Sequence, residues 1–63
     1  MDLLDTNGAA RRLNMAPGTL ENLRCRGEGP RFLKLGRVVR YDPKLLDEWL
    51  AERVFQSTSE AAA

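Results

Sequence analysis

The sequence predicts a small α+β domain, mainly α, in the order helix, turn, helix, two-stranded β-hairpin, helix. Three observations carry that expectation. Apolar residues recur at helical spacing in three short stretches, around residues 9–13, 20–23 and 45–54. Two of those stretches open on a proline, Pro17 and Pro43, at the first helical position, where a missing N–H does no harm. Between them lies a segment rich in aromatic and β-branched residues, broken by Gly36-Arg37, a pair that suits a tight hairpin.

At the first helix, Thr6 is expected to act as N-cap, its hydroxyl accepting from a free helical N–H. Ala9, Ala10 and Leu13 then define a two-turn helix over residues 7–13, whose small alanines let a second helix approach closely. Gly8 inside it is a liability of about 1 kcal/mol relative to alanine. Asn14 suits the left-handed residue that ends a helix, and Met15 fills the angle beyond it.

The second helix is expected over residues 17–26, with Ala16 as a poor N-cap where serine would serve better. At 100° per residue, Leu20 and Leu23 point inward. Gly18, Glu21, Asn22 and Cys25 cluster outward, flanked by Arg24 and Arg26. Gly27-Glu28-Gly29-Pro30 ends this helix. Strands are then expected over residues 31–35 and 38–41, with Arg37 at the tip and Lys34 and Arg40 along the edges. Leu33, Leu35 and Val38 cannot share one face with Phe32, so part of the hairpin is apolar on both sides. It either packs on the last helix or offers a contact surface.

The last helix is expected over residues 43–54, started by Asp42-Pro43 and striped by Leu45, Leu46, Trp49, Leu50 and Val54. Trp49, the largest apolar side chain, is expected to anchor the core. Residues 1–55 thus form one domain, and residues 56–63 a tail without core signal that either frays or extends the helix. At 63 residues, the chain lies near the lower size limit for folding without metals or disulfides.

Composition narrows the function. With no histidine and a single cysteine, the chain lacks the commonest general base and metal ligand and cannot form an internal disulfide. No enzyme activity, cofactor or metal is expected. A solvated helix face is the better reading of Asp47, Glu48 and Glu52, and Cys25 has no resolving partner. No apolar run approaches the ~20 residues needed to span a bilayer, and a cytoplasmic location with no membrane contact is expected. The net charge is only +1, yet Arg11, Arg12, Arg24, Arg26, Arg31, Lys34, Arg37 and Arg40 face only Glu21 and Glu28 within residues 11–40. Both ends are acidic. A basic centre of this kind is the footprint of a nucleic-acid binder.

A helix-turn-helix places its second helix in the major groove of DNA. There Asn22 can bond adenine bidentately and Glu21 can accept from the cytosine amino group. Thr19, near the helix start, can bond a phosphate, and Gly18 beside Pro17 admits close backbone approach. Arg37 at the wing tip can enter a minor groove. Arg24, Arg26, Lys34 and Arg40, with Arg11 and Arg12 from the first helix, are candidate phosphate contacts. About half of these six are expected to touch DNA, the competing reading being a solvated side chain. Arg31 can instead pair with Glu28.

These residues carry a family resemblance. Leu3-Leu4-Asp5-Thr6, Ala9-Ala10, Leu13 and Pro17-Gly18-Thr19-Leu20 are followed by Gly29-Pro30-Arg31-Phe32 and Lys34-Leu35-Gly36. Val39-Arg40-Tyr41 and Leu46-Asp47-Glu48-Trp49-Leu50 complete the set. The ordered series resembles the small winged helix-turn-helix proteins of excisionase and AlpA-like type, related to the DNA-binding domain of MerR regulators. Gly8, Asn14, Ala16 and Leu23 depart from residues usual in that group, and its outward helix is usually more basic.

The resemblance implies a recombination directionality factor. Several copies would bind adjacent sites on a mobile element's attachment DNA, bend it and bias a cognate integrase toward excision. The acidic ends and basic middle can make head-to-tail contacts between neighbouring copies. No dimerisation coiled coil is expected after the last helix, which favours this reading over a full MerR regulator. An AlpA-like transcriptional regulator is the alternative in the same class. A protein-interaction module without DNA binding, using the two-sided hairpin and the acidic last helix, is the alternative in another.

Overall fold

The computed structural model describes residues 2–61, and its architecture is a winged helix-turn-helix. Helix α1 spans Thr6–Arg12 and α2 spans Pro17–Arg26; strands β1 (Leu33–Leu35) and β2 (Val38–Arg40) follow, then α3 (Pro43–Ala51) and a short helical turn, α4 (Thr58–Ala61).

The cap of α1 is Asp5 rather than Thr6. The Asp5 carboxylate accepts from the Gly8 N–H at 2.7 Å, a charge-assisted bond at the positive end of the helix. The helix therefore begins one residue earlier than the hydroxyl reading placed it. A Cβ on Gly8 would stand 3.2 Å from that same carboxylate oxygen. The glycine expected to be a liability thus gives the capping side chain room.

Asn14 adopts the expected left-handed conformation, with φ 58°. Its N–H donates to Arg11 O at 3.1 Å, and the Met15 N–H donates to Ala10 O at 2.9 Å, so these two carbonyls near the end of α1 are satisfied. Helix α2 starts at Pro17 with no side-chain bond from Ala16 and ends at Gly27.

β1 and β2 pair antiparallel, with Leu33 opposite Arg40 and Leu35 opposite Val38. Gly36, at φ 68°, takes the first place in the two-residue turn, a conformation glycine reaches without a Cβ penalty. The strands are shorter than residues 31–35 and 38–41. Tyr41 turns away from β1 and pairs with Leu4 through two backbone bonds of 2.8 and 2.7 Å. That bridge ties the N-terminus to the foot of the wing. A single-residue pairing has no periodic signature.

The core gathers Ala9, Ala10, Leu13, Leu20, Tyr41 and Leu46, with Leu4, Met15, Val39 and Trp49 packed around it. Tyr41, not Trp49, is the largest wholly buried side chain. Its hydroxyl has a partner in Arg24 at 3.1 Å, whereas the Trp49 indole N–H is buried with none among the described residues. An aromatic with a polar handle goes deepest where that handle is bonded.

Helix α3 stops at Ala51, three residues short of the expected end. Arg53 turns back, its Nη1 donating to Trp49 O at 2.9 Å and its guanidinium lying 4.0 Å from the indole centroid. Val54 is 79% exposed, so further helix would bury nothing. Of the two alternatives for the tail, extension of α3 is not seen, and α4 is a separate turn.

Candidate nucleic-acid interface

Helix α2 presents the face that its periodicity implies. Leu20 is buried and Leu23 half-buried, which turns Pro17, Gly18, Thr19, Glu21, Asn22, Cys25 and Arg26 outward. Gly18 stands in open space, with nothing within 4 Å of where its Cβ would be. The Thr19 backbone N–H is taken by Ala16 O at 3.0 Å, leaving its hydroxyl as the group free to reach a phosphate.

The wing exposes Lys34 and Arg37, and among the described residues neither side chain has an ion pair or hydrogen bond. Arg37 and Arg40 share a shallow groove with Glu21, Asp5 and Asn7, between the start of α1, the middle of α2 and β2. The outward helix face and the wing thus border one concave surface. Asn7, exposed at its rim, is a polar group that no sequence motif marks.

Several candidate cations are otherwise engaged. Arg12 forks onto Asp47 of α3, Nε to Oδ1 at 3.2 Å and Nη2 to Oδ2 at 2.9 Å, so it joins two helices instead of pointing to a phosphate. The side-chain bond with Arg12 and its charge hold the Asp47 carboxyl below the ordinary range, and the same bond raises Arg12. Asp47 is thereby no longer a free member of a solvated acidic face.

Arg24 turns inward, its Nη1 donating to Thr6 Oγ1 at 3.2 Å and Tyr41 Oη at 3.1 Å. Its aliphatic stem is long enough to reach past the helix face that a projection assigns to its Cα. Arg40 is half-buried and donates to the carbonyl of Val39 at 2.8 Å, folded along its own strand. Arg26 lies 3.4 Å from Glu28, both well exposed. Glu28 therefore faces Arg26 rather than Arg31, because both flank the turn at Gly27. Arg11 and Arg31 are exposed and, among the described residues, without an ion pair.

The hairpin's apolar tip does not pack on α3: Leu35 is 55% and Val38 42% exposed. At the other end of the chain, Leu50, Val54 and Phe55 are exposed beside Glu48 and Glu52. Among the described residues, no group of three or more potential ligands is placed to hold a metal ion, and no helix is long and apolar enough to cross a membrane. Cys25 is an exposed free thiol.

A family model described as a helix-turn-helix domain matches residues 3–54. The chain therefore belongs to the helix-turn-helix domain family, a DNA-binding, non-catalytic kind that includes small excisionase-like and AlpA-type proteins. No curated protein matches the chain.

Proposed function

We propose that this helix-turn-helix domain is an excisionase-type recombination directionality factor. It binds attachment-site DNA sequence-specifically, bends it with several adjacent copies, and turns a cognate integrase toward excision. Kinship with the MerR DNA-binding domain belongs to the same reading. The observation that carries it is the concave surface that Glu21 on α2 shares with Arg37 on the wing, an arginine without an ion pair among the described residues, with Asn22 exposed next to Glu21 on the same helix.

In the mechanism, α2 enters the major groove, Asn22 bonds adenine and Glu21 accepts from cytosine. Thr19 bonds a phosphate near the helix start, and Pro17-Gly18 lets the backbone come close. Arg37 enters the adjacent minor groove, whose negative potential is strongest where it narrows. Lys34, Arg11 and Arg26 add phosphate contacts that hold register without reading sequence. Arg12, Arg24 and Arg40 have no direct role, being engaged within the fold.

Adjacent copies are supported by two complementary patches. Leu35 and Val38 at the tip adjoin Lys34 and Arg37 in the chain, and Leu50, Val54 and Phe55 lie near Glu48 and Glu52. Different patches of one chain that fit each other propagate along DNA instead of closing into a dimer. Such a protein would be cytoplasmic and held on the nucleoid by its DNA.

A footprint on DNA flanking the gene, followed by an excision assay with the cognate integrase, tests this function. Repeated protected sites that fill cooperatively, with excision dependent on the protein, are expected. A single non-cooperative site with no effect on excision overturns the excisionase reading in favour of an AlpA-like regulator. Binding indifferent to salt between 50 and 200 mM would point to a protein-interaction module.

A further inference from the structure

We propose that Arg24 is a positioning residue that fixes the angle between the recognition helix and the wing. This rests on the reading of Arg37 as a wing contact to DNA. Phe32 stands one residue before β1 and Tyr41 one residue after β2, so together they are the two feet of the hairpin. Their rings lie 6.2 Å apart at 49°. The Arg24 guanidinium, from the third turn of α2, bonds the Tyr41 hydroxyl and lies 5.9 Å from the Phe32 centroid. The same Nη1 reaches Thr6, the first residue of α1. Three elements converge on one planar cation.

The geometry gives this convergence consequence. A hairpin of two three-residue strands has no independent stability, so its aim is set at its base. The path from Tyr41 back to Arg37 is about 13 Å at the rise of an extended strand, so a tilt of about 10° at the foot moves the tip by about 2 Å, enough to break a hydrogen bond. Arg24 bonds neutral oxygens and, among the described residues, pairs with no carboxylate, which separates it from Arg12. A guanidinium offers several donors in one plane, a geometry suited to bracing several elements at once.

A coupling experiment distinguishes positioning from stability alone. The parent, Arg37→Ala, Arg24→Met and the double variant are titrated on a duplex that the parent selects from a random-sequence pool, across a salt series. In the parent, Arg37→Ala should lower the slope of log affinity against log salt by about one unit. In the Arg24→Met background it should leave the slope unchanged, because the tip no longer meets the groove. Tyr41→Phe, which keeps the buried ring and removes only the hydroxyl, serves as second background if Arg24→Met fails to fold by circular dichroism; there the Arg37→Ala effect should be clearly reduced. A full one-unit effect of Arg37→Ala in either folded background overturns the positioning role and leaves the wing reading standing. No effect of Arg37→Ala in the parent removes the wing reading itself, and this inference with it.

Discussion

Arg12 and Asp47, thirty-five positions apart, close a two-bond fork that clamps the end of α1 to the middle of α3. The pair sets a pH dependence. Asp47 is held below its ordinary 3.8, so its contribution to folding is full above that value and is lost as pH falls through the lowered one. Arg12 is raised, so its share persists at every practical pH. Thermal melts of parent and Asp47→Asn should differ at neutral pH and converge as the solution is acidified below the ordinary aspartate value. A gap of constant size down to strong acid would count against the clamp.

The same clamp occupies the Arg12 guanidinium, which is the ground for expecting no phosphate contact from it. Arg12→Ala should leave the salt slope of binding where the parent has it, whereas Arg11→Ala should lower it by about one unit. Salt titrations of the two variants on one duplex decide between them.

Asn22 is exposed in the middle of the outward face of α2. If it reads adenine, Asn22→Ala weakens binding to the selected duplex by about 1–3 kcal/mol and spares random DNA. Equal losses on both duplexes would remove it from base readout.

The start of α2 is uncapped, yet Ala16 already has the extended backbone of an N-cap, with φ −70° and ψ 143°. Ala16→Ser should therefore raise stability by about 1 kcal/mol in denaturant unfolding. A negligible change would mean the hydroxyl finds water instead of the free N–H groups.

Phe55 is 51% exposed and outside the core. Phe55→Ser should alter stability by no more than about 0.5 kcal/mol. It should nonetheless reduce cooperativity between adjacent sites in quantitative footprinting, if this end contacts a neighbouring wing. Unchanged cooperativity would exclude Phe55 from that contact.

Much of this domain was legible from local chemistry. Pro17 and Pro43 marked helix starts, Gly36-Arg37 marked the turn, and Asn14 marked a left-handed stop, because each signal acts within a few residues. The outward face of α2 followed from Leu20 and Leu23 alone. What misled was length and reach. Val54 continued the apolar stripe of α3, but no surface exists to receive it, so the helix stops at Ala51. Arg12, Arg24 and Arg40 looked like free surface cations, and long side chains find partners that spacing cannot show.

By itself the sequence determined the order of elements from α1 to α3, the hairpin register through its two-residue turn, and which side of α2 faces out. These depend on neighbours along the chain. Only the tertiary structure decided that Tyr41 lies at the centre, that Leu4 pairs with it, and that Arg24 joins α1, α2 and both feet of the wing. The hydrogen bonds among those contacts link residues seventeen or more positions apart. Which arginines keep their guanidinium free of intramolecular partners is therefore decided by folding and not by how many the chain carries.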